Sequence, residues 1–384
     1  MISPTDRPAS TWHTLALCAL AAGALMALLL VVARTPLFSS LIAQTAFERA
    51  LVLHVTLISV LWLAAMSAGL WGAGSRTARL AMAGAALMVT AGLGGLGTPV
   101  LVDYLPYLDH GLFRLGAGLF TVALTAAAIT APSSLATPWA LALTFMRLPL
   151  LTGVIEVLVR LAMGDTPSSA LWGGGHALQI AWTVLLLGLW SRHAPRPGTG
   201  SALIASTALL CVVAPGLALS GLADADHMHS TVMRTGLGSS LFVGLIVFQP
   251  WHADLATRWA TALSVLGLLI GGLIDGQNTT IPAHYHGTVG AVSIGLIALA
   301  LPRARLAVSV HGTGLALMML GLLTAGSSDL ARKQVLDAST ADGLALLGSS
   351  LVGLGGLVAA LAVLTAMGSA APLRHALARR LGIT

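Results

Sequence analysis

Long apolar runs separated by short polar connectors make up almost the whole 384-residue chain. Runs long enough to cross a hydrocarbon core, about 20 residues each, begin near residues 12, 48, 78, 108, 137, 168, 201, 231, 257, 282, 306 and 343. The pattern predicts twelve transmembrane helices and leaves almost nothing over for a soluble domain. Residues 1–384 therefore read as a single polytopic membrane domain with short cytoplasmic tails at 1–11 and 370–384. The first run follows only a short arm and lacks a convincing small-residue cleavage site, so it is taken as a true span.

Composition sharpens this into a fold class. Of the residues, 57% are hydrophobic and 8% are charged, whereas soluble domains carry roughly a quarter charged. An all-α integral membrane protein embedded in a lipid bilayer is expected. The net charge of +6 does not call for a nucleic-acid partner, because its distribution is a topology signal. With the N-terminus inside, inner segments hold Arg7, Arg76, Arg79, Arg192, Arg196, Arg258, Arg303, Arg305, Arg374, Arg379 and Arg380. Outer loops collect Glu48, Asp103, Asp109, Asp165, Asp224, Asp226, Asp275, Asp329, Asp337 and Asp342. Both termini are expected in the cytoplasm, with the chain in a bacterial-type inner (plasma) membrane.

Cys18 and Cys211 both fall within predicted spans and neither belongs to a C-x-x-C-H haem-attachment motif. The stretch "AGLGGLG" at 91–97 lies inside an apolar span with no strand before it, so close helix packing is the expected use of its glycines.

Among the twelve histidines, His13, His193, His252 and His375 are expected on the inner surface, and His110 and His311 at interfaces. The other six behave differently. His54 opens span 2, His176 opens span 6, His227 and His229 close span 7, and His284 and His286 open span 10. Even-numbered spans start outside and odd-numbered spans finish there, so four remote segments bring histidines to one level near the outer face. A polar group at membrane depth needs a partner, and imidazole is the commonest metal ligand near neutral pH. Residues i and i+2 on a helix stand about 200° apart, so His284 and His286 in "IPAHYHGTVGAV" serve two centres or line a water-filled vestibule.

This arrangement resembles the haem-copper oxidase superfamily, whose catalytic subunit has twelve spans with histidines on spans 2, 6, 7 and 10. The wording is closest to the cbb-type oxidase and nitric oxide reductase branch. "TIPAHYHGTVGAV" is similar to the span-10 motif, which implies that His284 ligates a high-spin haem and His286 a low-spin haem. "RALVLHVTLISVLW" is similar to span 2, making His54 the opposite axial ligand of the low-spin haem. "GGGHALQIAW" is similar to span 6, making His176 a ligand of the non-haem metal, copper or iron. "DHMHST" is similar to the end of span 7; Asp226 and His227 stand where the family has two metal-ligating histidines, and His229 where it has a third that is not a ligand. Were His227 and His229 the ligands, three histidines would be restored. The family also has two basic residues between spans 11 and 12 that pair with haem propionates, which points to Arg332 and Lys333 in "SSDLARKQV", or else to an ordinary polar loop.

Two departures bear on the chemistry. Two histidines and an aspartate make a harder ligand set than three histidines and favour iron or zinc over copper. Neither usual tyrosine position near the metal is filled: Ile180 and Gly221 stand there. Glu156, the intramembrane glutamate, lies level with the histidines and is a candidate ligand or proton donor, or else an ion-pair partner of Arg160 at i+4. No span contains a lysine and no carboxylate lies in the inner half of a span, so proton pumping is not supported.

The expected function is electron transfer from a low-spin haem to a haem/non-haem-metal binuclear centre that reduces a small gas, oxygen or nitric oxide. Electrons would come from a partner subunit carrying haem c or copper. The alternatives are a non-catalytic haem-binding membrane electron-transfer or structural subunit without an active second metal, and a transporter using its histidines as a metal relay.

Overall fold

The computed structural model describes residues 11–368, apart from 197, 199, 214 and 217–223. Arg7, Arg374, Arg379, Arg380, His375 and Gly221 lie outside the described residues. The order of elements begins with α1 (Thr11–Arg34), α2 (Gln44–Leu70) and α3 (Ser75–Leu93). A short antiparallel hairpin follows, β1 (Thr98–Val100) with β2 (Tyr107–Asp109). Then come α4 (Gly111–Thr130), α5 (Pro138–Ala162), α6 (Pro167–Ser191), α7 (Ser201–Val212) and α8 (Asp226–Phe248). The last four are α9 (Leu255–Gly271), α10 (Thr280–Ala300), α11 (Arg305–Gly326) and α12 (Gly343–Gly368).

Among the described residues, nine of these helices, all but α3, α7 and α9, are long and apolar enough to cross a membrane. The chain is a multi-pass, all-α membrane protein with one small hairpin. Helices begin within a few residues of every expected run start, but two begin earlier, with consequences. α2 starts at Gln44, which places His54 ten residues inside the helix, about 15 Å along its axis. α8 starts at Asp226, so His227 and His229 open this helix and do not close the preceding one. The polar first turns, with Glu48 and Arg49 in one and Asp226, His227 and His229 in the other, are helical although their hydropathy reads as loop.

Local chemistry sets many of the boundaries. Thr137 and Thr166 cap α5 and α6 by accepting from Ala140 N and Ser169 N, each with a proline in the first helical position. Asp254 caps α9 through Thr257 N at 2.9 Å. Gln249, with φ +48°, closes α8 in the left-handed region. Arg147, buried where α5 bends, donates to Ala131 O at 2.8 Å and Pro132 O at 2.6 Å and so caps the end of α4.

Small residues let helices touch backbone to backbone. A Cβ on Gly321 of α11 would stand 2.6 Å from Gly348 O of α12, and one on Gly314 would stand 2.7 Å from Gly355 O. Between α2 and α10 the link is polar: Trp62 Nε1 donates to Ser293 Oγ at 2.9 Å in a fully buried setting. In "AGLGGLG", Gly92 packs under Leu53 of α2 as expected, while Gly95 and Gly97, with φ +71° and +72°, make the turn into the hairpin. Two helices carry a π turn close after a histidine, at Thr56–Trp62 in α2 and at Val232–Leu237 in α8. Such turns recur at functional sites.

Gly321→Leu drives a side chain into main-chain atoms that have no room to yield. It should cost about 1–3 kcal/mol or more, read as a lowered thermal midpoint of the detergent-solubilised protein. Leu354→Val, on the exposed side of the same helix pair, should leave the midpoint nearly unchanged.

Candidate functional site

Four histidines share one hydrogen-bonding device. Nδ1 of His54 lies 3.0 Å from Gly23 O of α1, and Nδ1 of His176 lies 2.7 Å from Trp172 O. Nδ1 of His284 lies 2.7 Å from Gly267 O of α9, and Nδ1 of His286 lies 2.7 Å from Pro282 O. A carbonyl can only accept, so each Nδ1 carries the hydrogen and donates it. In the neutral ring Nε2 is then a bare lone pair. Metal-ligating histidines are held in this way, with one nitrogen donating to a carbonyl while the other faces the ion. His311 makes the same bond to Ala359 O at 2.9 Å, joining α11 to α12.

The two histidines of α10 diverge, as their spacing requires. His284 leans on α9, where Gly267 and Gly271 leave it room; a Cβ on Gly271 would stand 2.6 Å from its Nδ1. His286 lies on the helix that Trp62 of α2 joins through Ser293, and Tyr285 stacks beside it with ring centres 5.0 Å apart. Arg34, buried at the end of α1, rests over the Phe47 ring.

A second cluster gathers His176, His229, Glu156 and Tyr104. The His176 and His229 rings are 5.2 Å apart, centre to centre. Glu156 Oε1 lies 2.6 Å from His229 Nε2, with both side chains buried. The Tyr104 hydroxyl, from the loop between β1 and β2, lies 3.1 Å from His176 Nε2. Because that nitrogen has no hydrogen, the hydroxyl donates. The three glycines before His176 each admit a different neighbour: Gly173 faces Glu156 and His229, Gly174 faces Val157, and Gly175 faces the Tyr104 ring. Any side chain at these positions would close the space.

The placement of Asp226 and His227 differs from expectation. Asp226 is paired elsewhere: Arg160 holds it at 3.0 Å and Ser169 Oγ at 3.3 Å. His227 is exposed. The reason is helical phase: His227 and His229 stand about 200° apart, so turning His229 toward α6 turns His227 away. Arg160 also binds Asp165 at 2.7 Å and stands 3.9 Å from Glu156, so the glutamate touches both the histidine and the expected arginine. Among the described residues no group of three His, Cys, Asp or Glu side chains is placed to hold a metal ion.

Arg332 and Lys333 are drawn into the protein by a partner that the sequence did not suggest. Asp103 Oδ1 takes both, Arg332 Nη2 and Lys333 Nζ each at 2.7 Å, and Lys333 also donates to Leu101 O at 2.7 Å. Arg332 further bonds Gln277. Burial pushes the Asp103 carboxyl up, but its bonds to Lys333 and Arg332 and their charges outweigh burial and hold it below the usual carboxylate range. Burial, with the Asp103 charge beside it, raises the Tyr104 hydroxyl. Tyr104 and Lys333 have φ of +64° and +63°, a conformation that side chains of this size rarely adopt. An open cleft of ≈ 590 Å³ adjoins them, lined by Gln44, Glu48, Leu101, Arg332 and Lys333 among others.

No protein-family model matches the chain. It is similar to an uncharacterized protein of Aquifex aeolicus (strain VF5), 26% identical over 75% of this chain and 82% of the relative. It is also similar to an uncharacterized protein of Rickettsia prowazekii (strain Madrid E), 22% identical over 91% of this chain and 92% of the relative. Neither relative's name states an activity.

Asp103→Ala should leave Arg332 and Lys333 facing each other without their carboxylate, costing roughly 1–3 kcal/mol and opening the hairpin to limited proteolysis. Asp109→Ala, which removes an exposed pair with Arg114 at 3.2 Å, should cost less than about 1 kcal/mol and leave the cleavage pattern unchanged.

Proposed function

We propose that this protein is a haem-copper oxidase-like subunit I that passes electrons from a low-spin haem to a binuclear centre and reduces oxygen or nitric oxide. The observation that carries the reading is the Nδ1 bond of His54, His284 and His286, which leaves an Nε2 lone pair on each in a membrane bundle; at His176 the same lone pair takes the Tyr104 hydroxyl. An Nε2 lone pair fixed in this tautomer is the kind of donor that holds haem iron, so these residues fit the group.

In this reading His54 and His286 would hold the low-spin haem, and His284 would hold the high-spin haem. A non-haem metal would have His176 and His229 nearest to it, with Glu156 against His229, so that His229 would take the place of Asp226 and His227. Two nitrogens and a carboxylate favour iron over copper there. When bound, the haems and the second metal supply the electron transfer and the binding of the gas. The chain's own residues fix each imidazole in one tautomer, and the glycines of α6 admit the carboxylate while the packed helices keep water out. Glu156 Oε1 stands against His229 and 3.9 Å from Arg160, so the carboxylate is held between the two. Arg160, Asp165 and Asp226 continue this polar chain toward the hairpin end of the bundle.

Counting α3, α7 and α9 as crossings with the nine longer helices gives twelve spans. The hairpin end is then the outer one and both termini are cytoplasmic, by the positive-inside rule. Electrons would come from a partner subunit carrying haem c or copper, because this chain has no C-x-x-C-H motif. A second reading, a haem-binding electron conduit without an active second metal, is favoured by the pairing of Asp226 with Arg160 and by the absence of a three-residue ligand group among the described residues.

Redox-difference spectra of the purified protein test the assignments. His54→Ala and His286→Ala should each abolish the low-spin signal while sparing the other haem; a normal low-spin spectrum in both variants would contradict the reading. His176→Ala should keep both haems and lose the second metal by elemental analysis. Two haems with no second metal in the unsubstituted protein, inert to both gases, would decide for the conduit.

A further inference from the structure

We infer, resting on the haem reading above, that Arg34 is the cation that receives a carboxylate of the haem His54 would hold, a role that the resemblance gives to Arg332 and Lys333. Arg34 is the last residue of α1 and only 9% exposed. It makes no hydrogen bond and no ion pair among the described residues; its guanidinium lies over the Phe47 ring, 5.5 Å from the centre. A basic side chain in a last helical turn ordinarily bonds that turn's open carbonyls. Here other groups have taken them. Thr35 Oγ1 donates to Val31 O at 2.7 Å, Thr35 N to Val32 O at 3.2 Å, and Leu336 N to Ala33 O at 3.1 Å. The guanidinium is left with five N–H donors, an aromatic face and no acceptor. Burying a charge is costly unless an opposite charge joins it.

Helical phase puts this cation in line with His54. Gly23, whose carbonyl takes the His54 Nδ1–H, and Arg34 are eleven residues apart on α1, so after three turns they fall within about 20° of one face. Phe47 and His54 are seven residues apart on α2, two turns, again within about 20° and separated by about 10 Å along the axis. The start of α2 is at the hairpin end of the bundle, where Arg49 donates to Leu96 O and Gly97 O. Arg34 therefore stands on the His54 side of both helices, displaced toward the hairpin end. A ligand that meets His54 Nε2 and satisfies Arg34 must carry an anion some two helical turns from the atom that the imidazole binds. A haem has this form, with iron at its centre and two carboxylates on one edge. Arginine suits such a group, because its fork makes two parallel bonds to a carboxylate. The basic pair on the connector after α11 is otherwise committed, since Asp103 Oδ1 holds Arg332 and Lys333 at 2.7 Å each.

The test uses the full-length protein prepared without haem and titrated with iron protoporphyrin and, in parallel, with its dimethyl ester, which keeps the ring and the iron and lacks the carboxylates. Binding is followed at the low-spin band that His54→Ala removes. The unsubstituted protein should bind the free acid at least about tenfold more tightly than Arg34→Gln does, the worth of hydrogen bonds between charged groups. The ester should bind both alike. Arg34→Lys, which keeps the charge and loses the fork, should fall between them for the acid. Equal binding of the acid by Arg34→Gln, or a loss that is the same for acid and ester, would overturn the Arg34 assignment and leave the haem site standing. A loss that appears only when phospholipid is added, again the same for acid and ester, would give Arg34 to a lipid phosphate and overturn it too. Absence of a low-spin band, or a band indifferent to His54→Ala, would end both.

Discussion

The donation of an imidazole Nδ1–H to a main-chain carbonyl is the constraint on which the architecture turns. It requires carbonyls within about 3 Å of a ring inside a helix bundle, and helices supply them in two ways. His176 and His286 use the carbonyl four residues earlier on their own helix, Trp172 and Pro282. His54 and His284 use Gly23 of α1 and Gly267 of α9, so they bind neighbouring helices together. Those cross-helix bonds need close approach. Gly23 meets Ile58 of α2 and Gly267 meets the backbone of α10, and a Cβ at either position would stand within 3 Å of them. The small-residue faces that hold the bundle together are thus the faces that set the imidazoles.

The cluster at His176 extends the principle from helices to loops. α5 brings Glu156, α6 brings His176 on the far side of three glycines, α8 brings His229, and the hairpin lowers Tyr104 onto Gly175. Asp103 then fastens the hairpin to the connector after α11 through Arg332 and Lys333. The basic pair and the histidine cluster are therefore one mechanical unit, joined through two adjacent residues of a strained turn. On the other flank Arg160 gathers Asp165, Asp226 and Ser169 around one guanidinium.

Much of the helical plan was legible because hydropathy over twenty residues averages out local detail. The starts of α2 and α8 were not, since polar first turns such as Gln44–Arg49 and Asp226–His229 look like loop until packing makes them helix. The divergence of His284 and His286 followed from helical geometry alone. The choice of His229 over His227 did not, because an angular spacing says that two residues face apart without saying which faces inward. Burial of Glu156 near the histidines was legible from its register on α5. Tyr104 was hidden for a different reason: it reaches His176 from a six-residue loop, where no periodicity points to a partner. Its signal was the acidic neighbour Asp103, placed opposite the only lysine in the chain. Arg34 carries no sequence signal at all; only its burial marks it.

The central proposal is that His54 of α2 and His286 of α10 would hold one haem through their Nε2 atoms. A cryo-electron microscopy map of the purified, unsubstituted protein tests it most directly. The account predicts flat macrocycle density between α2 and α10 with iron bound to both Nε2 atoms and both Nδ1 bonds kept. Side chains or lipid filling that space, with either ring turned so that Nε2 bonds the main chain, would contradict it.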